Sequence, residues 1–219
     1  MAISPTNLAT ENLTPGTSVA TASISPTGRA LLHAAVVAVN IDSTTPVIPT
    51  MSGNNLTWVN VATVTAASGV VRVRLTLFSA QGNSPSAGSA TIAHSTAPGF
   101  SEAWTCCEFA NAGLGAVVQG VTNTTASATS LTVTLAAFSS VANGCYGVFV
   151  APLELAGSFV VGSGFTFIDN DTASVKMATE YKATNDTTVD ISWTTSSYAL
   201  GIATEIRANL SQLPALGVA

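Results

Sequence analysis

From Val70 to Phe78 the chain reads VVRVRLTLF, and this alternation constrains the fold more than any other stretch. Arg72, Arg74 and Thr76 fall on one side of an extended backbone, and Val71, Val73, Leu75 and Leu77 on the other. That two-residue period belongs to a half-buried strand. Ser130–Phe138 (SLTVTLAAF) repeats it. Ala30–Ile41 is apolar almost throughout, with Val36, Val37 and Val39, and reads as a strand buried on both faces. Roughly ten or more short strands follow one another at intervals of about 8–15 residues, with turn chemistry between them. No stretch sustains a 3.6-residue period. The expectation is an all-β fold, a sandwich of jelly-roll type in one large domain.

The organisation is read in three parts. Residues 1–16 are polar, carry Pro5, Pro15 and Gly16, and are expected to form an extended N-terminal arm against the domain body or a neighbouring subunit. Residues 17–208 form the β-sandwich domain. Residues 209–219 are a C-terminal tail. Asn111–Gly120 is rich in glycine and reads as a loop.

Charge excludes several functions. Only 8% of the residues are charged, against roughly 25% in an average soluble domain. The net charge is −5, and the six cations (Arg29, Arg72, Arg74, Lys176, Lys182, Arg207) form no patch in sequence. Phosphate neutralisation is therefore not expected, so no nucleic-acid partner and no anionic membrane surface is proposed. A surface of Thr, Ser and Asn suits a subunit fixed among identical copies better than a free monomer. The apolar run Ala30–Ile41 falls short of the ~20 residues of a spanning helix. The start, MAISPTNLATENLTPG, has neither a basic nor an apolar stretch, so no secretory signal is expected and the chain is read as soluble and made in the cytoplasm. Three cysteines, Cys106, Cys107 and Cys145, argue against a disulfide framework.

The chemistry-bearing residues are each read beside a simpler role. Adjacent Cys106 and Cys107 on a strand face opposite sides, so they are expected as two small buried hydrophobes rather than zinc ligands. His33 lies in an apolar run and His94 at a strand end, and no G-x-S-x-G elbow accompanies them. Glu102 and Glu108 share a strand face but stand roughly 20 Å apart, beyond the spacing of a glycosidase pair. Glu108 with Glu180 or Glu205 stays open as a cross-strand pair. Asp169 and Asp171 present oxygens at i and i+2, as calcium loops do, yet lack the further ligands; an Asx turn is the better reading. Sequons at Asn12, Asn55, Asn123, Asn170, Asn185 and Asn209 are expected by chance in so Thr- and Asn-rich a chain. Trp58, Trp104 and Trp193 are expected in the core rather than on a sugar-binding platform. No catalytic, cofactor or metal residue is assigned, and no enzyme is expected.

Three stretches, GRALLHAAVVAVNI, NGCYGVFVAPLE and SWTTSSYALGIATEIRA, together with WTCCEFANAG, resemble tailed-bacteriophage structural proteins. The shared features are a glycine turn before a Leu/Ala/Val-rich strand, a middle strand ending in an acidic residue, and a closing strand over Tyr198 to Ile206. The resemblance spans about residues 20–208. It implies a jelly-roll domain in a virion: a capsid decoration or cement protein that bridges capsomers, binds the major capsid protein and forms a homo-oligomer, with a trimer expected. A tail- or fibre-associated subunit and a carbohydrate-binding β-sandwich are the other readings.

Overall fold

The computed structural model describes residues 2–151, 159–171 and 176–209. These form fourteen strands: β1 (Ser4–Leu13), β2 (Ser18–Ile24), β3 (Leu31–Asn40), β4 (Thr50–Gly53), β5 (Val59–Ser68), β6 (Val71–Gln81), β7 (Gly88–Ala93), β8 (Ser101–Ala110), β9 (Ala112–Thr134), β10 (Gly144–Ala151), β11 (Val160–Val161), β12 (Thr166–Asp171), β13 (Lys176–Lys182) and β14 (Thr188–Ala208). Among the described residues no helix is long and apolar enough to cross a membrane.

The strands build three antiparallel sheets. The middle one has the order β1-β8-β3-β6-β5. A six-stranded sheet, β11-β14-β10-β13-β12 with β9 on β14, packs against one face, and the small sheet β2-β7-β4 against the other. This explains why β3 carries no polar face. All ten of its residues are buried. Ala35, Val37 and Val39 pack toward the six-stranded sheet, beside Leu75, Val148 and Ile202. Leu32, Ala34 and Val36 pack toward the small sheet, beside Ile92 and Trp104. A strand buried on both faces reads as a continuous apolar run for this reason. The all-β sandwich is as expected, and the third sheet was not foreseen.

Two expectations are corrected. Within the segment read as an arm, Ser4–Leu13 is β1, the edge strand of the middle sheet, paired antiparallel with β8 from Ser4↔Ala110 to Leu13↔Glu102. Backbone ladder bonds hold a polar strand as well as an apolar one, so polarity alone did not mark it as external. The glycine-rich stretch read as a loop opens β9 instead. Asn111, at φ 63°, turns the chain out of β8 directly into β9. The expected tail lies, from residue 210 on, outside the described residues.

β9 and β14 form one long antiparallel ribbon. Register shifts between Ser192 and Ser197 mark a sharp bend. Beyond it the ribbon folds back on itself. Gln119 donates from Nε2 to the Ala136 carbonyl at 3.2 Å and accepts from the Ala136 amide at 2.9 Å, and Asn123 Nδ2 reaches the Thr132 carbonyl at 2.7 Å. A third core of Leu131, Val133, Phe149, Phe159, Ile191 and Trp193 fills the fold. Gly147 and Gly201 line it: a Cβ on Gly147 would stand 2.7 Å from Val189 and Phe149, and one on Gly201 2.8 Å from Phe149.

Candidate functional site

The acids cluster by face rather than by pocket. Glu102, Trp104, Cys106 and Glu108 alternate on β8 toward the small sheet. Glu102 is fully buried, and its Oε1 meets His94 Nε2 at 2.8 Å, with both side chains out of solvent. His94 Nδ1 and Glu102 Oε2 have no partner. Glu108 accepts from the Thr27 amide at 2.9 Å and its hydroxyl at 3.1 Å, which ties the β2–β3 turn to β8.

Glu180 and Glu205 lie elsewhere, on the outer face of the six-stranded sheet. The middle sheet and the six-stranded sheet therefore separate Glu108 from both, and neither cross-strand pair forms. Glu180 and Glu205 stand on β13 and β14 with β10 between them, Glu180 opposite Gly147 and Glu205 opposite Cys145.

Their environments differ. Glu205 Oε1 accepts from the Ser139 amide (2.9 Å), the Ser139 hydroxyl (2.8 Å) and Asn143 Nδ2 (2.6 Å); Oε2 accepts from Gln119 Nε2 (2.7 Å). Burial alone would raise this carboxyl, but the donors of Asn143, Gln119 and Ser139 together hold it below its ordinary value. Asn143 Oδ1 in turn accepts the Ala208 amide at 3.1 Å, so one carboxylate anchors both the 139–143 turn and the end of β14. Glu180 is also 0% exposed. It has one long bond, from the Gly162 amide to Oε2 at 3.4 Å, and Oε1 has none. Burial, with Asp190 adding negative charge, pushes it up to about 8 despite the Gly162 amide. Next to it Lys182 Nζ bonds Asp186 Oδ2 (2.7 Å) and the Ser163 carbonyl (3.2 Å) and lies 5.4 Å from the Phe165 ring centre.

The remaining candidates fall into place as follows. His33 is fully buried, packed on Phe109 and Tyr146 with ring centres 5.1 and 4.9 Å away, and burial lowers it to about 3, so it is neutral. Cys106 and Cys107 face opposite sheets, and Cys145 is buried apart from them. Burial raises all three thiols, Cys145 to about 12, so none is a thiolate at neutral pH. Trp104 and Trp193 are core residues and Trp58 packs against the core of the small sheet, so the three form no platform. Asp169 accepts from the Thr10 hydroxyl, joining β12 to β1. The Asp171 side chain and Thr172 lie outside the described residues. Among the described residues no group of three or more His, Cys, Asp or Glu is placed to hold a metal ion.

Open grooves lie among the described residues, two of them wider than the small one at Arg29, Gln81 and Asn83. One of about 560 Å³ runs between β5 and β9, lined by Val59, Val61, Val117 and Gln119. The other, about 440 Å³, holds Arg207 with Ser139, Asn143 and Asn209. The side chains of Gln119, Ser139 and Asn143 in these walls are turned to Glu205. The polar groups identified thus stitch strands and turns together. No sequence signal announced the Glu205 cage, because its donors come from positions 119, 139 and 143, far from it along the chain. Compared with protein-family models, with curated proteins and with solved structures, the chain matches none.

Proposed function

We propose that this protein is a non-catalytic structural subunit of a bacteriophage virion, a capsid decoration protein that bridges capsomers as a homo-oligomer. The observation that carries the reading is the surface. With 8% charged residues it offers little electrostatic repulsion, and at one end of the middle sheet Ile41, Val70 and Phe100 are 46%, 56% and 47% exposed. Two backbone bonds, Ser43 N to Val70 O and Phe100 N to Val39 O, bring these segments to the same end. Exposed apolar side chains gathered this way suit a surface that is covered in an assembly. The likeness of GRALLHAAVVAVNI and SWTTSSYALGIATEIRA to phage structural proteins supports the virion as that assembly.

The test is binding to purified tail-less heads. The protein is expected to cosediment with them and raise the temperature at which they rupture. Cosedimentation with isolated tails instead would favour the tail subunit, and binding to neither would sink the virion reading.

A further inference from the structure

Among the described residues seven strands end a sheet or lie at its margin, and six of them are protected against pairing with another chain, β11 by having only two residues. β1 carries Pro5, Glu11 and a bulge between Asn7 and Ala9. β12 carries Asp169, a bulge between Phe167 and Asp169, and a hydrogen bond to β1. β2 is bulged between Ala20 and Ser23, and β4 has four residues. β5 is bulged between Asn60 and Ala62 and lies against β9, where a Cβ on Gly120 would meet Val61 at 2.7 Å. Charge, proline, bulges and brevity are the devices that keep sheet edges from joining.

β9 has none of the sequence devices. Its 23 residues, AGLGAVVQGVTNTTASATSLTVT, include no Asp, Glu, Lys, Arg or Pro. Among the described residues it pairs only with β14, and over Gln119–Thr125 that pairing is regular, from Glu205↔Gln119 to Ala199↔Thr125. Among the described residues no strand pairs with the other side of this straight stretch. Four of its seven residues, Val121, Thr122, Thr124 and Thr125, are β-branched, and Thr122, Asn123 and Thr124 are exposed. Seven residues extend roughly 20 Å, enough for a full strand ladder. The Thr124 amide is met by Asn123 Oδ1 at 2.8 Å, a local bond that a partner carbonyl can replace.

We infer that the Gln119–Thr125 edge of β9 is the contact with a second copy of this chain, pairing antiparallel with itself about a twofold axis near Thr122. An identical edge supplies the complementary row of amides and carbonyls. An uncharged stretch meets itself without repulsion, whereas a basic or acidic partner would find no opposite charge on it. The twofold contact gives an even-numbered assembly rather than the trimer expected from the sequence. It needs no virion partner, so capsid binding can fail while the dimer holds.

The test is light scattering across a dilution series of the full chain, with Thr122→Lys/Thr124→Lys as the blocking variant. The chain is expected to be a dimer. Like charges placed across the ladder should weaken it at least about tenfold while the melting temperature holds. In parallel, Thr122→Cys should form a disulfide-linked dimer under mild oxidation, while Thr65→Cys on β5 should not. A chain that stays monomeric at its highest soluble concentration overturns the inference. So does an oligomer indifferent to the lysines, or equal crosslinking at both positions.

Discussion

Glu205 and Glu180 stand on the same face of the same sheet, both out of solvent, yet one is a fastener and the other a liability. Glu205 satisfies both oxygens with four donors. Glu180 has a single 3.4 Å bond and an empty oxygen. The difference teaches that burial by itself does not determine what a carboxylate contributes. The donors its neighbours can turn toward it do. A caged carboxylate stays ionised and ties loops down; an uncaged one is kept neutral by the cost of burying its charge.

Breaking the cage should have the largest effect. Glu205→Ala leaves Asn143 and Ser139 without their acceptor and frees the 139–143 turn from β14. A loss of about 3–5 kcal/mol is expected in denaturant unfolding. A loss below about 1 kcal/mol would show that the turn is held by other means.

Glu180 should respond in the opposite sense, and through pH. Its folded value, about 8, lies above its ordinary 4.5. Between those values the unfolded chain has released a proton that the folded chain keeps, so its contribution to stability falls as pH rises through that window. Glu180→Gln should remove this slope. The variant is expected to exceed the parent by roughly 2–4 kcal/mol at pH 8 and to match it near pH 4. Parallel stability curves for the two proteins would mean that Glu180 ionises freely in the fold.

The smallest effect should come from Lys182→Ala. Its contacts with Asp186 and Ser163 are partly exposed, and such a pair contributes less than about 1 kcal/mol. A larger drop in melting temperature would place Lys182 among the groups that hold the Gly162–Phe165 turn beside Glu180.

The contrast between what was legible and what was not follows the same line. Alternation at Val70–Phe78 and the apolar run Ala30–Ile41 announced β6 and β3, because burial on one or both faces writes itself into the local pattern. The burial of Trp104 and Trp193 was legible too, from their place inside strands. β1 was hidden because Ser4–Leu13 needs only a ladder partner, and that partner is about a hundred residues away. β9 was hidden because its glycines looked like turn residues. Gly113 lets the Ala208 carbonyl approach to 3.2 Å of a Cβ position, and Gly120 does the same for Val61. Here glycine serves close contact between strands rather than reversal of the chain. The Glu205 cage and the uncovered oxygen of Glu180 are products of the folded-back ribbon, which no local pattern encodes.

The pairing of β1 with β8 also sets an order of events on the ribosome. β3, β6 and β8 complete their ladders within the first 110 residues, so the middle sheet can assemble while the rest is still being made. β9 has no such luck: its partner β14 begins at Thr188. Ladders between distant segments form slowly, on the scale of milliseconds to seconds. Synthesis at about 5–20 residues per second stretches the wait to seconds, during which an uncharged, threonine-rich strand has both edges open. The nascent chain is thus most prone to misassociate after β9 emerges and before β14 does, and slower translation across residues 135–187 should lower the yield of soluble protein.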